Sequence, residues 1–140
     1  MALLALTTRH LRELRHLHPT LLDILIFAAD HWPVDVVTVT SIYRTTAEED
    51  AAGGKSGIHM AGPPYRAVDL RIRDIDGGAA YNEADQVRAD KVAALINEKW
   101  VYDPSRREKR VAVSMLHGSG PHLHLQCSNT TRPSYGLEHA

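Results

Sequence analysis

The sequence predicts an α+β fold in which a small, mostly antiparallel sheet is flanked by helices. Three observations lead to this prediction. Apolar residues recur at helical spacing in two separated segments. Segments rich in β-branched residues, or alternating between apolar and polar, lie between and after them. The resulting order is helix, strand, long loop, strand, helix and two strands, which favours α+β over a parallel βαβ arrangement.

The predicted helices lie in the first and the third quarter of the chain. A short amphipathic helix is predicted within 8–17, and a stronger one begins at an N-cap residue Thr20 and ends before Pro33. The longest predicted helix runs over 84–100. Its apolar stripe comprises Val92, Leu95, Ile96 and Trp100.

Four strands are predicted, over 34–44, 66–72, 111–116 and 122–128. The last two are joined by a Gly-rich connection and are expected to form a hairpin. Between the first two lies a polar, Gly-rich segment over 45–64, with one possible helical turn at 47–51. A loop of this length in a compact domain is often functional.

Length and composition exclude several classes of protein. The chain has 140 residues, of which 44% are hydrophobic and 24% charged, so it suits one globular domain over 1–140, with a core of about 10–128 and a poorly ordered tail at 129–140. The net charge of −1 argues against a nucleic-acid partner. The single cysteine, Cys127, excludes an internal disulfide and is expected to be a buried thiol.

No segment predicts membrane insertion or export. No apolar stretch is long enough to span a bilayer, and the apolar run near the start is too short for a signal peptide and follows no basic residue. We therefore expect a protein without an integral membrane segment that is made in the cytoplasm. A substrate outside the cytoplasm would require a separate route of release.

The segment Pro121-His122-Leu123-His124-Leu125-Gln126 carries the strongest chemical signal. Side chains alternate between the faces of a strand, so His122, His124 and Gln126 share one face. The opposite face is apolar and comprises Leu123, Leu125 and Cys127. The chain contains nine histidines, so a His-x-His pair can also arise by chance, and any one histidine alone is more often structural than functional.

The predicted strand at 66–72 and the loop before it supply two further candidate metal ligands. Within 66–72, Asp69 alternates with Val68 and Leu70 and so points away from the core. His59 lies ten positions earlier in the long loop. With His124, these residues offer three nitrogen and oxygen ligands, which is the set that a catalytic zinc site uses when water takes the fourth position.

The ordered motifs resemble peptidase family M15, which contains D-Ala-D-Ala carboxypeptidases and phage L-alanyl-D-glutamate endopeptidases. The resemblance covers roughly residues 10–128. This family belongs to a wider group that shares a zinc fold with lysostaphin-type peptidases and the hedgehog domain. The motifs that carry it are Leu17-His18-Pro19-Thr20-Leu21, Val39-Thr40-Ser41-Ile42-Tyr43-Arg44-Thr45, Ser56-Gly57-Ile58-His59, Arg66-Ala67-Val68-Asp69-Leu70 and His122-Leu123-His124.

The resemblance implies a role for each site residue. His59, Asp69 and His124 would bind zinc, Arg44 would bind substrate and stabilise the oxyanion, and Ser56 would contact substrate. The spacing of Ser56 from His59 is one residue longer than usual, and residues 61–65 carry an apparent insertion between two ligands.

The general base departs from the family's usual pattern. Family members normally have a glutamate shortly before the last histidine ligand, whereas this chain has His122 there. In lysostaphin and hedgehog relatives the first histidine of His-x-His is catalytic, so we assign His122 as the base. His117, near the predicted turn, is a weaker competitor.

The function implied is that of a zinc-dependent peptidoglycan peptidase that cleaves the stem peptide, with an endolysin-like L-alanyl-D-glutamate endopeptidase favoured. The alternatives are a D-Ala-D-Ala carboxypeptidase, a non-catalytic zinc-binding or wall-binding domain of the same fold, and a metal-free structural protein of a phage particle. The expected partner is the stem peptide, and the expected state is a monomer. A phage enzyme of this kind would reach the wall through a separate membrane pore or as part of the virion.

Overall fold

The central element is a mixed sheet of five strands. A computed structural model describes residues 2–51, 57–60, 62–73, 82–115 and 120–134. The strands are β1 (Leu3–Ala5), β2 (Val36–Ser41), β3 (Ala67–Arg71), β5 (Ala112–Met115) and β6 (His122–Gln126), in the spatial order β1-β2-β3-β6-β5. β1 pairs with β2 in parallel, while β2–β3, β3–β6 and β6–β5 are antiparallel pairs. The chain is therefore α+β.

Among the described residues, four helices accompany the sheet: α1 (Thr8–Leu14), α2 (Pro19–Asp30), α3 (Thr46–Ala51) and α4 (Glu83–Lys99). A 3-10 turn at Ile58–Met60 lies in the described part of the long loop. No helix in the described part of the chain is long and apolar enough to cross a bilayer.

The start of α2 differs from the prediction. His18, rather than Thr20, is the N-cap, because its Nδ1 accepts a hydrogen bond from the backbone N–H of Thr20 at 3.2 Å. Pro19 then occupies the first helical position, where its missing N–H has no consequence. The prediction overlooked that a histidine ring can cap a helix as an asparagine does.

A second, two-stranded sheet lies outside the predicted core. β4 (Trp100–Val101) continues directly from α4 and pairs antiparallel with β7 (Arg132–Pro133). The hydroxyl of Thr131 donates to the carbonyl of Tyr102 at 2.7 Å. The prediction of a poorly ordered tail at 129–140 is therefore wrong for 129–134, and 135–140 lie outside the described residues.

The core lies between the sheet and the two long helices. α2 and α4 contact each other, and they contact β6 and β5 respectively. Leu123 and Leu125 of β6 are fully buried, as are Val68 and Leu70 of β3. Cys127 is buried with them, and burial raises the pKa of its thiol to about 11, so it is an inert core residue, as the alternation predicts.

A bulge in β2 connects the core to the opposite face of the sheet. Val39 pairs with Leu70, but Ser41 pairs with the adjacent residue Asp69, so Thr40 is the extra residue. A bulge of this kind reverses which residues face each side. Val39 consequently faces the core with Leu70, while Ser41 lies beside Asp69 on the other face, where the hydroxyl of Thr40 donates to the Asp69 carbonyl at 3.3 Å.

Candidate metal centre

The three predicted ligands converge on the face of the sheet opposite the core. Asp69 and His124 are directly opposite each other in the β3–β6 register. His59 reaches them from the 3-10 turn. Their ligand atoms all lie within 4.8 Å of one another, and all three residues are buried. With His59 packed against Asp69, these side chains are shielded from solvent.

The ring of His59 is fixed by a backbone carbonyl. Its Nδ1 lies 2.7 Å from the carbonyl oxygen of Ile42, and since a carbonyl only accepts, this nitrogen carries the proton. In the neutral ring, Nε2 is then an acceptor. It lies 3.2 Å from Oδ1 of Asp69, which is also an acceptor.

The ring of His124 is fixed in the same way at its opposite nitrogen. The side-chain amide of Gln126 donates to the carbonyl of Arg110 at 2.7 Å, so its oxygen faces Nε2 of His124 at 3.1 Å. Nε2 of His124 therefore carries the proton, and Nδ1 is the bare nitrogen. Nδ1 lies 2.8 Å from the same Oδ1 of Asp69.

Three acceptor atoms consequently face one another in a buried space. Burial raises the pKa of the Asp69 carboxyl, whereas a proton placed between this carboxylate and the rings of His124 and His59 would lower that pKa well below its ordinary value. A cation held by His59, Asp69 and His124 would pair with all three acceptors without protonating either ring. Two imidazoles and a carboxylate, each oriented by an outer hydrogen bond, are a donor set that fits zinc.

His122 presents a third bare nitrogen to the same region. Its Nδ1 lies 2.8 Å from the carbonyl of Gly120 and therefore carries the proton in the neutral ring. Its Nε2 lies 3.7 Å from Oδ2 of Asp69, beyond hydrogen-bonding distance. Gly120 has φ of +121°, a conformation that suits glycine, and this backbone aims the carbonyl at the ring. An imidazole held in this way can accept a proton at Nε2.

Arg44 is an ion-pair partner of the site. Its Nη2 donates to Oδ2 of Asp69 at 2.8 Å, and its Nη1 lies 3.7 Å from Oε1 of Glu49. Glu49, on α3, is a buried carboxylate that the sequence reasoning missed. The sequence offered one usable signal, since Thr45-Thr46-Ala47-Glu48 has the spacing of a capping box and predicts a helix that begins just after Arg44.

The backbone on both sides of Arg44 is held by charged side chains. Arg9 of α1 donates to the carbonyl of Tyr43 at 2.7 Å and to Glu48. Glu48 accepts from the N–H of Thr45 at 3.0 Å, and the hydrogen bond from Arg9 lowers the pKa of this carboxyl to about 2. The N–H of Arg44 itself donates to the carbonyl of His59 at 2.9 Å. Arg44 and His59 are therefore fixed relative to each other.

A cavity of about 190 Å³ lies beside Arg44. It is lined by polar side chains from α1, from β2 and from the segment after β2, including Arg9, Ser41, Tyr43 and Arg44. Arg44 thus contacts Asp69 on one side and the cavity on the other. His59, Asp69 and His124 do not line this cavity, and Arg44 lies between it and Asp69.

Two predicted residues are not placed. Ser56 and His117 both lie outside the described residues. The remaining predicted residues, His59, Asp69, His124, His122 and Arg44, lie together in one cluster. The carbonyls of Ile42 and Gly120, which fix two of the rings, could not be identified from residue type because every residue carries a carbonyl.

The fold and this cluster define an α+β protein with a buried His-Asp-His group that could hold a metal ion. No family model matches the chain, and neither the curated proteins nor the solved structures contain a match.

Proposed function

We propose that the protein is a zinc-dependent peptidase that hydrolyses a peptide bond in the peptidoglycan stem peptide, with the L-alanyl-D-glutamate bond as the favoured substrate. The observation that carries the metal site is the orientation of both ligand rings. Each ring donates its other N–H to an oxygen, so that bare nitrogens face Asp69. The choice of substrate rests on the resemblance of the ordered motifs to peptidase family M15.

The proposed roles follow from the positions of the side chains. His59 would bind zinc through Nε2, His124 through Nδ1 and Asp69 through its carboxylate. Zinc at this site would supply Lewis-acid chemistry, polarising the substrate carbonyl and acidifying water. His122 takes the proton of the attacking water at Nε2 and returns it to the leaving amine, a role that an imidazole commonly fills in catalysis.

Arg44 is proposed to bind the substrate from the cavity side. A guanidinium has five N–H donors, and its contacts with Asp69 and Glu49 leave donors for a carbonyl or carboxylate in the cavity. A donor aimed at the developing oxyanion is worth about 10²–10³ in rate. Ser56 is proposed as a further substrate contact on the motif alone.

The central test separates metal binding from turnover. His124→Ala is expected to abolish zinc binding, measured by elemental analysis of the purified protein. His122→Ala is expected to keep stoichiometric zinc and to lose about 10²–10⁴ in the rate of wall hydrolysis, because it removes only the proton acceptor. His31→Gln changes an exposed histidine at the end of α2 and serves as the matched control with unchanged zinc and rate. Full activity in the His122 variant would refute its assignment.

The alternatives predict different products or none. Mass analysis of digested wall fragments distinguishes an endopeptidase from a D-Ala-D-Ala carboxypeptidase, because only the latter releases free D-alanine. A non-catalytic zinc-binding or wall-binding domain would hold zinc and show no hydrolysis with or without chelator. A metal-free structural protein would contain no zinc at all.

A further inference from the structure

Glu49 is a buried acid to which the proposed function assigns no role. It lies on α3 and is only 5% exposed. Its Oε1 is 3.7 Å from Nη1 of Arg44, and its Oε2 is buried and has no hydrogen-bond partner among the described residues. An ionised carboxylate in such a position is unfavourable unless a donor reaches it. The free oxygen therefore points to a donor that arrives in another state of the site.

The nearest donor is the guanidinium of Arg44. In this structure it is engaged with Asp69, to which Nη2 donates at 2.8 Å, whereas its approach to Glu49 is almost an ångström longer. Two buried carboxylates thus share one guanidinium. Asp69 is also the residue whose other oxygen meets both ligand rings.

A divalent cation at the three converging atoms changes this balance. A bound cation would offset the charge of Asp69 and repel the guanidinium at close range, so the Asp69–Arg44 bond would weaken. We propose that Glu49 is a positioning residue that takes over Arg44 when a cation is bound, and thereby raises the affinity of the site for that cation. The inference rests on the metal site of the proposed function. Through the buried carboxylate of Glu49, α3 would then determine the affinity of the site for the metal.

Glu49 and Arg44 are expected to be coupled in their effect on the affinity for the cation. With Glu49 present, Arg44 has an alternative acceptor, and the cation need not compete against the full Asp69–Arg44 ion pair. Without Glu49, the guanidinium remains on Asp69 and opposes the cation. Glu49 should therefore affect metal affinity only when Arg44 is present.

A double-mutant cycle on zinc affinity tests this coupling. The affinity is measured by competition with a chromophoric chelator, in wild type, Glu49→Gln, Arg44→Met and the double variant. Glu49→Gln is expected to weaken zinc binding about 10–100-fold, the range seen for outer residues of metal sites. In the Arg44→Met background the same change is expected to alter affinity by less than about twofold.

Two outcomes overturn the proposal. One is an affinity of Glu49→Gln within about twofold of wild type. The other is an equal loss in both backgrounds, which would mean that Glu49 attracts the cation directly. Glu98→Gln removes the same charge from an exposed position near the end of α4 and is the matched control, with unchanged affinity.

The test remains decisive if Glu49→Gln does not fold. Glu49→Asp keeps the charge and withdraws it by one methylene, and it is expected to weaken zinc binding in the Arg44 background and not in the Arg44→Met background. The measurement uses no substrate. A protein that shows the coupling but hydrolyses no wall material would retain this inference and lose the proposed function, and an active protein without the coupling would do the reverse.

Discussion

In each histidine of the site, one ring nitrogen donates a hydrogen bond to an oxygen. This hydrogen bond determines which ring nitrogen carries the proton and which one is bare. His59 meets a backbone carbonyl, His124 meets a side-chain amide and His122 meets another backbone carbonyl. His59 and His122 therefore have a bare Nε2, whereas His124 has a bare Nδ1. The oxygens that lie outside the ligand set determine which atom is available for chemistry.

Gln126 is the outer residue whose effect is easiest to test. Gln126→Leu removes the acceptor of His124 and leaves the ring free to turn or change tautomer, so zinc affinity is expected to fall about 10–100-fold. Gln126→Glu keeps an oxygen at this position and is expected to retain most of the affinity. Chelator competition measures both, and a Leu variant with wild-type affinity would contradict the role.

His10 makes stability depend on pH. Burial lowers its pKa below the ordinary value of 6.5, with a further lowering by Arg9 and an opposing effect of Glu13. As pH falls through 6.5, the unfolded chain takes up a proton that the folded chain does not, so the free energy of unfolding decreases until the folded pKa is passed.

Replacing His10 should therefore flatten this part of the pH profile. His10→Gln is expected to lose less stability than wild type between pH values of about 7.5 and 5. Denaturant unfolding at several pH values measures the difference between the two proteins. Parallel profiles would show that His10 titrates alike in both states.

At the residue scale, alternation was sufficient to predict Asp69, His122 and His124 on one polar face, because side chains on a strand alternate regardless of what covers them. It could not predict the burial of Glu49 or its ion pair with Arg44, since these depend on how the short helix α3 packs against the rest of the fold. Arg44 was predicted as a residue that binds substrate, and that role stays a prediction. The structure adds its ion pair with Asp69.

At the scale of elements, Asn97 joins α4 to the edge strand β5. Its side-chain amide donates to the carbonyl of Ala112 at 2.9 Å and accepts from the N–H of Ala112 at 3.0 Å. The side chain thus pairs with the strand as a neighbouring strand would. This pair fixes the outer edge of the sheet that carries the His-x-His strand.

Asn97→Ala should accordingly destabilise the fold. It leaves both polar groups of Ala112 without this partner, at an expected cost of about 1–3 kcal/mol in the free energy of unfolding. Asp90→Ala, which removes an exposed contact with Gln86 on the same helix, is the control and should cost no more than about 0.5 kcal/mol. Chemical denaturation measures both, and equal values would exclude a special role for Asn97.

The long elements were predictable and the short ones were not. α4 is a 17-residue helix with a capping box formed by Asn82 and Asp85, and its periodic apolar residues identify it within two residues at each end. β1, β4 and β7 have only two or three residues each, too few for a pattern. The bulge at Thr40 also escaped prediction, because no glycine marks it and only the pairing with β3 reveals it.

For the whole molecule, metal binding and folding are expected to be coupled. The ligands come from β3, β6 and the 3-10 turn, which lie together only in the folded chain. Zinc at about 100 times its dissociation constant is expected to stabilise the protein by about 2.7 kcal/mol, a rise in melting temperature of roughly 10 °C for a chain of this size.

Thermal unfolding with and without zinc measures this effect. His124→Ala is expected to show no rise, since it lacks one ligand. An unchanged melting temperature in the wild type would mean that the cluster does not bind zinc in the folded state at that concentration.

The fold class followed from the sequence because it depends on the order of a few strongly patterned segments. The sequence did not, however, predict that the site is shielded from solvent. Alternation predicts that Asp69 points away from the core, whereas in the structure the 3-10 turn that carries His59 packs beside it and Asp69 is only 2% exposed. Loop placement depends on contacts such as those of Arg9 and Glu48 that link distant parts of the chain.

Because Asp69 and His124 lie opposite each other in the β3–β6 register, an error in this register would disrupt both the core and the metal site. A shift of β6 by one residue against β3 would place a leucine opposite Asp69 and would turn both histidines towards the helices. Such a misaligned chain would bury two imidazoles and expose two leucines, and it would lose its core and its ligands at once. Any molecule that has completed its hydrophobic interior has thereby aligned these two ligands, so folded but misassembled copies should be rare in a purified sample.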